Sequence, residues 1–263
     1  MQPTILFRKT IDTEAEFEVA KKYFPVSQYR SDLPKNSLVI GRYSVLPFYN
    51  ELCYDLQSLG SQLINTYRMH KWIADFEYYD DLIGYTPETW HEYQMHECDY
   101  QGPFVVKGRT NSRKHKWDTH MYAPTKADAM RIGAELAADD HIGQQGIIYR
   151  KFVQLRVHEI GLHGLPFSNE WRMYYYKDKL LAHSYYWSIA DKPELAVMDD
   201  KGLEFASKVS SIVARKANFY IIDIAQKVDG NWTLIEVNDA QMGGLSLIQP
   251  DTLYGNLVKA LEI

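Results

Sequence analysis

Residues 219–239, FYIIDIAQKVDGNWTLIEVND, constrain the fold more than any other stretch of the 263-residue chain. Two runs of β-branched and other apolar residues flank Asp229-Gly230, a dipeptide suited to a tight hairpin because Gly accepts the positive φ that the turn demands. With Asp229 and Gly230 as a two-residue loop, Asp223 lies directly opposite Glu236, and Ile224 opposite Ile235. Asn238 is two residues past Glu236 and points to the same face. Facing carboxylates repel each other and weaken a sheet. A divalent cation between them reverses that sign. Asp, Glu and Asn oxygens are hard ligands that suit Mg²⁺, which keeps its other positions for water and phosphate. The neighbours Ile221, Ile222, Ile224, Leu234, Ile235 and Val237 are apolar, so the acids interrupt an otherwise buried hairpin. The same pattern is met by two acids on the solvated face of an edge hairpin, and a bulge in either strand would shift the pairing.

A second feature is a basic loop. Residues 107–116, KGRTNSRKHK, hold five Lys or Arg and no acid in a chain whose net charge is -5. Its Gly, Ser, Thr and Asn suit a mobile loop whose amides and hydroxyls approach phosphate oxygens while Lys and Arg neutralise them. Lys107 ends the apolar run Phe104-Val105-Val106, so a strand holds it in place. A solvated basic turn and a nucleic-acid patch are the other readings of this loop; the acidic overall balance weighs against nucleic acid. Neither G-x-x-x-x-G-K-[ST] nor G-x-G-x-x-G occurs, which excludes a P-loop and a Rossmann fingerprint.

Around these features the chain reads in two parts. In the first 85 or so residues strands at 4–8, 37–40 and 62–64 alternate with helices at 13–23, 46–59 and 69–82, the pattern of a small parallel α/β unit. Gly84-Tyr85-Thr86-Pro87 breaks it as a linker. Strands then dominate, at 104–107, 117–122, 147–153, 170–176, 180–187, 220–226 and 232–237, with helices at 126–138, 203–217 and 252–261. This part reads as α+β with antiparallel hairpins. The two cysteines, Cys53 and Cys98, form no disulfide framework, and no apolar run approaches the roughly 20 residues that span a bilayer. A cytoplasmic protein is expected.

Taken in order, these residues resemble the ATP-grasp superfamily over most of the chain. Leu38-Val39-Ile40-Gly41-Arg42 and Gly60-Ser61-Gln62-Leu63-Ile64-Asn65 look like its N-terminal subdomain, and Thr86-Pro87-Glu88-Thr89-Trp90 like the segment leading into the central one. Phe104 to Lys107 resembles the strand bearing the phosphate-binding lysine, and the basic loop resembles the lid after it. Ile147 to Val153 is similar to the strand and hinge whose backbone holds adenine. Glu170-Trp171-Arg172 resembles the E-x-R strand; Asp223, Glu236 and Asn238 match the D…E-x-N magnesium signature; Gly243 and Gly244 fit the loop beside the acceptor site. The E-W-R form and the basic lid look most like a phage-associated clade named for one arginine and two lysines. Many relatives carry Glu or Gln at the hinge, where this chain has Arg150 and Lys151.

The resemblance implies an α+β ATP-grasp fold. A pre-ATP-grasp α/β subdomain at 1–88 precedes an ATP-grasp domain at 89–263, divided into a lid at about 89–146 and a C-terminal part at about 147–263. It implies an ATP- and Mg-dependent ligase joining a carboxylate to an amine or other nucleophile, a peptide or protein among the options, through an acyl-phosphate. Asp223, Glu236 and Asn238 would hold Mg²⁺, Lys107 and the lid residue Lys116 would bind phosphates, and Arg172 would stabilise the transferring phosphoryl group. Lys151, Phe152, Val153 and Glu170 would contact the nucleotide, with Glu159 the candidate ribose acid. Arg42 is a candidate anchor for a substrate carboxylate. The alternative is an ATP-binding sensor or interaction module without ligase chemistry.

Overall fold

The computed structural model describes residues 2–262. Its N-terminal unit comprises β1 (Gln2–Phe7), α1 (Glu14–Tyr23), β2 (Val26–Ser27), β3 (Ser37–Arg42), α2 (Tyr49–Ser58), β4 (Gln62–Leu63), α3 (Tyr67–Ala74) and α4 (Tyr78–Asp81). The strands form one parallel sheet in the order β2-β1-β3-β4. The helix expected across 69–82 is split, because the buried Phe76 takes a left-handed φ of 64° and ends α3.

A second sheet, in the order β5-β8-β6-β7, is built from β5 (Thr89–His91), β6 (Phe104–Gly108), β7 (Tyr122–Ala123) and β8 (Ile147–Lys151). Between its strands lie α5 (Trp117–His120) and α6 (Lys126–Ala137), the latter begun by Thr125, whose hydroxyl accepts from Asp128 N–H. The strand expected at 117–122 is therefore mostly helical. Only Met121 and Ala123 supply buried apolar side chains there, and the sheet recruits just those last residues, through Val106 N–H to Met121 C=O at 2.8 Å and the pair Phe104–Ala123.

The third sheet carries the site. A small hairpin, β9 (Val157–Ile160) with β10 (Pro166–Ser168), precedes β11 (Glu170–Tyr176), β12 (Lys179–Tyr185), α7 (Asp200–Val213), β13 (Phe219–Gln226), β14 (Trp232–Asp239) and α8 (Pro250–Leu261). The four long strands run antiparallel in the order β12-β11-β13-β14. Successive side chains of a strand alternate between faces. Tyr220, Ile222 and Ile224 of β13 pack on Ala206, Val209 and Val213 of α7. Phe219 and Ile221, on the other face, join a core with α1, α8 and the N-terminal sheet. The next residue on that second face is the buried Asp223, where the apolar filling stops and the paired charges beneath the cleft begin.

Candidate nucleotide and metal site

Asp223 and Glu236 are paired directly across β13 and β14, but not by the expected turn. The loop has three residues, Val228, Asp229 and Gly230: Lys227 N–H donates to Asn231 C=O at 2.8 Å, and Gly230 sits at φ +83°. This is the hairpin in which Gly takes the left-handed position after a turn. The extra loop residue sets Ile224 opposite Leu234 rather than Ile235. A bulge between Asp223 and Ile224 then restores the register, leaving Ile235 unmatched and Glu236 facing Asp223. Bulges of this kind re-aim side chains near active sites.

Both acids are buried and both are paired with cations. Arg172, opposite Asp223 on β11, grips it with two parallel bonds, Nε to Oδ1 at 2.9 Å and Nη2 to Oδ2 at 2.8 Å. Asn238 Nδ2 adds a bond to Asp223 Oδ2 at 3.2 Å. Lys107, at the end of β6, donates to Glu236 Oε1. Burial pushes the Glu236 carboxyl up, but Lys107 and Lys114 more than offset this and hold it below the ordinary value. Burial alone would lower the Arg172 pKa; the Asp223 carboxylate overrides that and keeps the guanidinium charged. Among the described residues no group of three or more His, Cys, Asp or Glu could hold a metal. Asp223, Glu236 and the Asn238 amide offer oxygens of the hard kind that Mg²⁺ takes, but both Asp223 oxygens are here bonded to Arg172 and Glu236 accepts from Lys107.

Glu170 lies on the same face of β11 as Arg172 and is buried at the inner end of the cleft. Burial pushes its carboxyl up to about 7; Lys114 opposes this, and Asp223 and Glu236 add to it.

The cleft has two connected parts. A narrow slot of about 360 Å³ is walled by apolar groups including Val105, Met121, Phe152, Leu165 and Ile235, with Lys107, Lys114, Glu170 and Glu236 along its polar lining. A wider cavity of about 1200 Å³ shares Lys107, Lys114 and Glu236 and extends past Arg172, Asn238 and Gly243 to Gly244. Tyr174 and Arg172 fix that glycine segment through the carbonyls of Gly243 and Gly244, both at 2.8 Å.

Lys151, Phe152 and Val153 line the slot. The backbone N–H of Lys151 is spent on Glu88 C=O at 2.8 Å, and that of Phe152 on Pro103 C=O at 2.9 Å. Among the described residues the Val153 N–H makes no such bond. Glu159 lines only the wider cavity, where it accepts from Asp191 N–H at 3.1 Å.

Two residues named from the sequence stand elsewhere. Lys116 is exposed and lines neither cavity, whereas Lys114 lines both. The basic loop turns through a short helical segment at 114–116, and of its two lysines only Lys114 lines the cleft. Arg42 does not reach the cleft. It is buried against Glu16 at 2.7 Å, in a network completed by Tyr254 Oη to Glu16 at 2.6 Å, because β3 points it at α1 and α8.

The basic loop is divided by its partners. Lys107 and Lys114 face the site, Arg113 pairs with Asp139, and Arg109 Nη1 lies 4.0 Å from Asp75. Three residues of the site are not assigned by the sequence reading. Tyr186 and Trp187 follow β12 and form one wall, with the Lys114 Nζ 4.1 Å and 5.0 Å from their ring centroids. Arg150 is buried on β8, with Nε 3.2 Å from Thr89 Oγ1 and further bonds from its guanidinium to Thr86 Oγ1 and to Ile235 C=O. The carbonyl it holds belongs to the bulged residue beside Glu236. A charged residue within the apolar run 147–153 is the one signal in the sequence for it.

The sequence matches a family of ATP-grasp domains over residues 94–257, more than half of the chain; it is family 3 of the clade named for one arginine and two lysines. Among curated proteins none matches it. The crystal structure of the D-cycloserine synthetase DcsG is similar at a TM-score of 0.62 and 13% identity, covering 98% of this chain and 99% of that one. The ATP-grasp ligase PsnB, complexed with minimal precursor, Mg and ADP, aligns at 0.58 and 10% identity over 99% and 98% of the two chains. The D-alanine–D-alanine ligase from Bacillus anthracis, complexed with ATP, aligns at 0.58 and 12% identity over 99% and 91%. With the sheets of β5-β8-β6-β7 and β12-β11-β13-β14 both contributing to a cleft of this composition, the chain belongs to the one-arginine, two-lysine clade of the ATP-grasp superfamily and has the α+β ATP-grasp fold.

Proposed function

We propose that the protein is an ATP- and Mg-dependent carboxylate–amine ligase working through an acyl-phosphate. One observation carries the reading: Lys107, Lys114, Arg172, Glu236 and Asn238 line the cleft where an apolar slot meets a wider cavity, with Asp223 buried against Arg172. The slot takes the base, with the Val153 N–H free to bond it, and the cationic groups meet the phosphates. Asp223, Glu236 and Asn238 would hold the magnesium, which would supply neutralisation of phosphate charge. Lys114 serves as the lid cation in place of Lys116. Glu159, on the wall of the wider cavity, is the candidate for the ribose hydroxyls.

In the reaction a carboxylate oxygen attacks the γ-phosphorus and the bond to ADP breaks. The acceptor nitrogen then attacks the acyl carbon, loses a proton, and phosphate leaves. Arg172 sits between the Asp223 carboxylate and the glycine segment, positioned to stabilise charge on the transferring group. Lys114 and Lys107 close over it and keep water from the acyl-phosphate. The solved structures named above are described as a D-cycloserine synthetase, a ligase complexed with its minimal precursor and a D-alanine–D-alanine ligase; a small amino acid or a peptide is therefore the first carboxylate or amine to offer.

The test is ADP release with Mg²⁺ against a panel of amino acids and peptides, with mass spectrometry of the product. A ligated product lacking one water relative to its parts supports the ligase. Tight ATP binding with no ADP release under any acceptor would leave only a binding module.

A further inference from the structure

Lys114 is the cation that the lid loop, beyond the end of β6, brings to the phosphate end of the cleft, and its partners are unusual. Among the described residues it forms no ion pair. Its Nζ bonds the Tyr186 hydroxyl and lies 4.1 Å from the centroid of the Tyr186 ring. The Arg172 guanidinium carbon lies 4.7 Å from the centroid of that same ring. One aromatic side chain therefore contacts a cation of the lid wall and a cation of the sheet wall.

Tyr186 is itself held in place. Its N–H donates to the Glu170 carbonyl at 2.9 Å, and its ring meets the edge of Trp187, with centroids 5.0 Å apart at 78°. Trp187 in turn stacks on Phe167 at 5.0 Å. The geometry has a chemical consequence. A carboxylate holding Lys114 would cancel its charge and compete with an incoming phosphate. A ring face holds a cation through its quadrupole and leaves the net charge in place.

We propose that Tyr186 is a positioning residue: it seats Lys114 and the Asp223-paired Arg172 on one ring, latches the lid loop to the C-terminal sheet, and leaves the Lys114 charge available to phosphate oxygens. The phosphate part of this proposal rests on the nucleotide reading of the cleft; the latch does not.

Two measurements separate them. The first is limited trypsin digestion of the nucleotide-free protein, following cleavage after Arg109, Arg113, Lys114 and Lys116 by mass spectrometry. Tyr186→Leu removes ring and hydroxyl and should speed cleavage within the loop several-fold, with other sites unchanged. Tyr186→Phe keeps the ring and should fall between. Lys114→Met should match Tyr186→Leu at the sites after Arg109, Arg113 and Lys116, and the double variant should add little. Loop cleavage equal to wild type in a folded Tyr186→Leu protein overturns the latch, whatever the cleft binds. The second is the affinity for a fluorescent ATP analogue. Tyr186→Leu should weaken it on the order of tenfold, and Tyr186→Phe should recover most of the loss. A merely structural tyrosine would lower the melting temperature while leaving the affinity of the folded protein unchanged, which overturns the proposal. Faster loop cleavage in a protein whose wild type binds no nucleotide overturns the phosphate role and the cleft reading together, and upholds the latch.

Discussion

The β13–β14 hairpin and the lid loop at 107–116 both deliver charged groups to one cleft, by opposite means. The hairpin places Asp223, Glu236 and Asn238 through backbone register, so each side chain's direction follows from its position in a ladder. The loop places Lys114 by side-chain capture on Tyr186, and disposes of Arg113 on Asp139 and of Arg109 near Asp75. Ladder placement is rigid and local. Capture depends on residues from distant parts of the chain, and it can be released. On the function proposed above, a closing loop would need the second kind of hold, and a metal site with preorganised ligands the first.

The sharpest way to break this contrast is at Glu236. Glu236→Ala should lower Mg-dependent ATP turnover by a factor on the order of 1,000, measured as ADP release. It also leaves the buried Lys107 without its partner, which should cost about 3 kcal/mol of stability in a denaturant titration. Adding Lys107→Met should return much of the stability and none of the turnover. Undiminished turnover in Glu236→Ala would remove the metal assignment.

Next in size is the support of the bulge. Arg150→Met removes the donors that hold Ile235 C=O, Thr86 and Thr89, and should destabilise by about 2–4 kcal/mol. Arg150→Lys should not rescue it, since a single ammonium cannot span three acceptors as the planar fork does. A neutral result would show that the hairpin keeps its bulge without this clamp.

The lid is tested by a pair of single changes. Lys114→Ala should raise the KM for ATP about tenfold, whereas Lys116→Ala, exposed and outside both cavities, should change it less than about twofold. The reverse order would restore Lys116 as the lid cation.

The last effect is electrostatic and confined to a pH window. Glu170 has its carboxyl pushed up to about 7 from an ordinary value of 4.5. The folded protein therefore binds more protons there than the unfolded chain between those two values. Stability of the nucleotide-free protein should fall as pH rises through that window and level off above it, by at most about 3 kcal/mol. Glu170→Gln, which cannot ionise, should flatten that slope in denaturant titrations spanning the window. An unchanged slope would mean that another group carries it.

The sequence pairs Asp223 with Glu236 through a turn the protein does not use. The three-residue loop and the bulge at Ile235 are each one residue off the simple register, and they cancel. Alternation of side chains explains why: one face of β13 is sealed by α7, so the hydrophobic pattern fixes which side chains point inward and any loop must be compensated before the acids. The parallel N-terminal sheet and the long C-terminal strands are legible for the same reason, as periodic apolar runs between turn residues. The segment at 117–122 and the β9–β10 hairpin are not, being short and held by distant neighbours.

By itself, then, the sequence offered Asp223 and Glu236 as a facing pair, an apolar strand leading to Lys107, and Glu170 and Arg172 on one face of a strand. The strands and the faces within them follow from periodicity within single elements. Only the tertiary structure decided that Arg42 is spent on Glu16, that Arg150 clamps a bulge, and that Lys114 rather than Lys116 turns inward to Tyr186. Each of these depends on which long, flexible cation finds a partner from another part of the chain, and chain spacing carries no information about that choice.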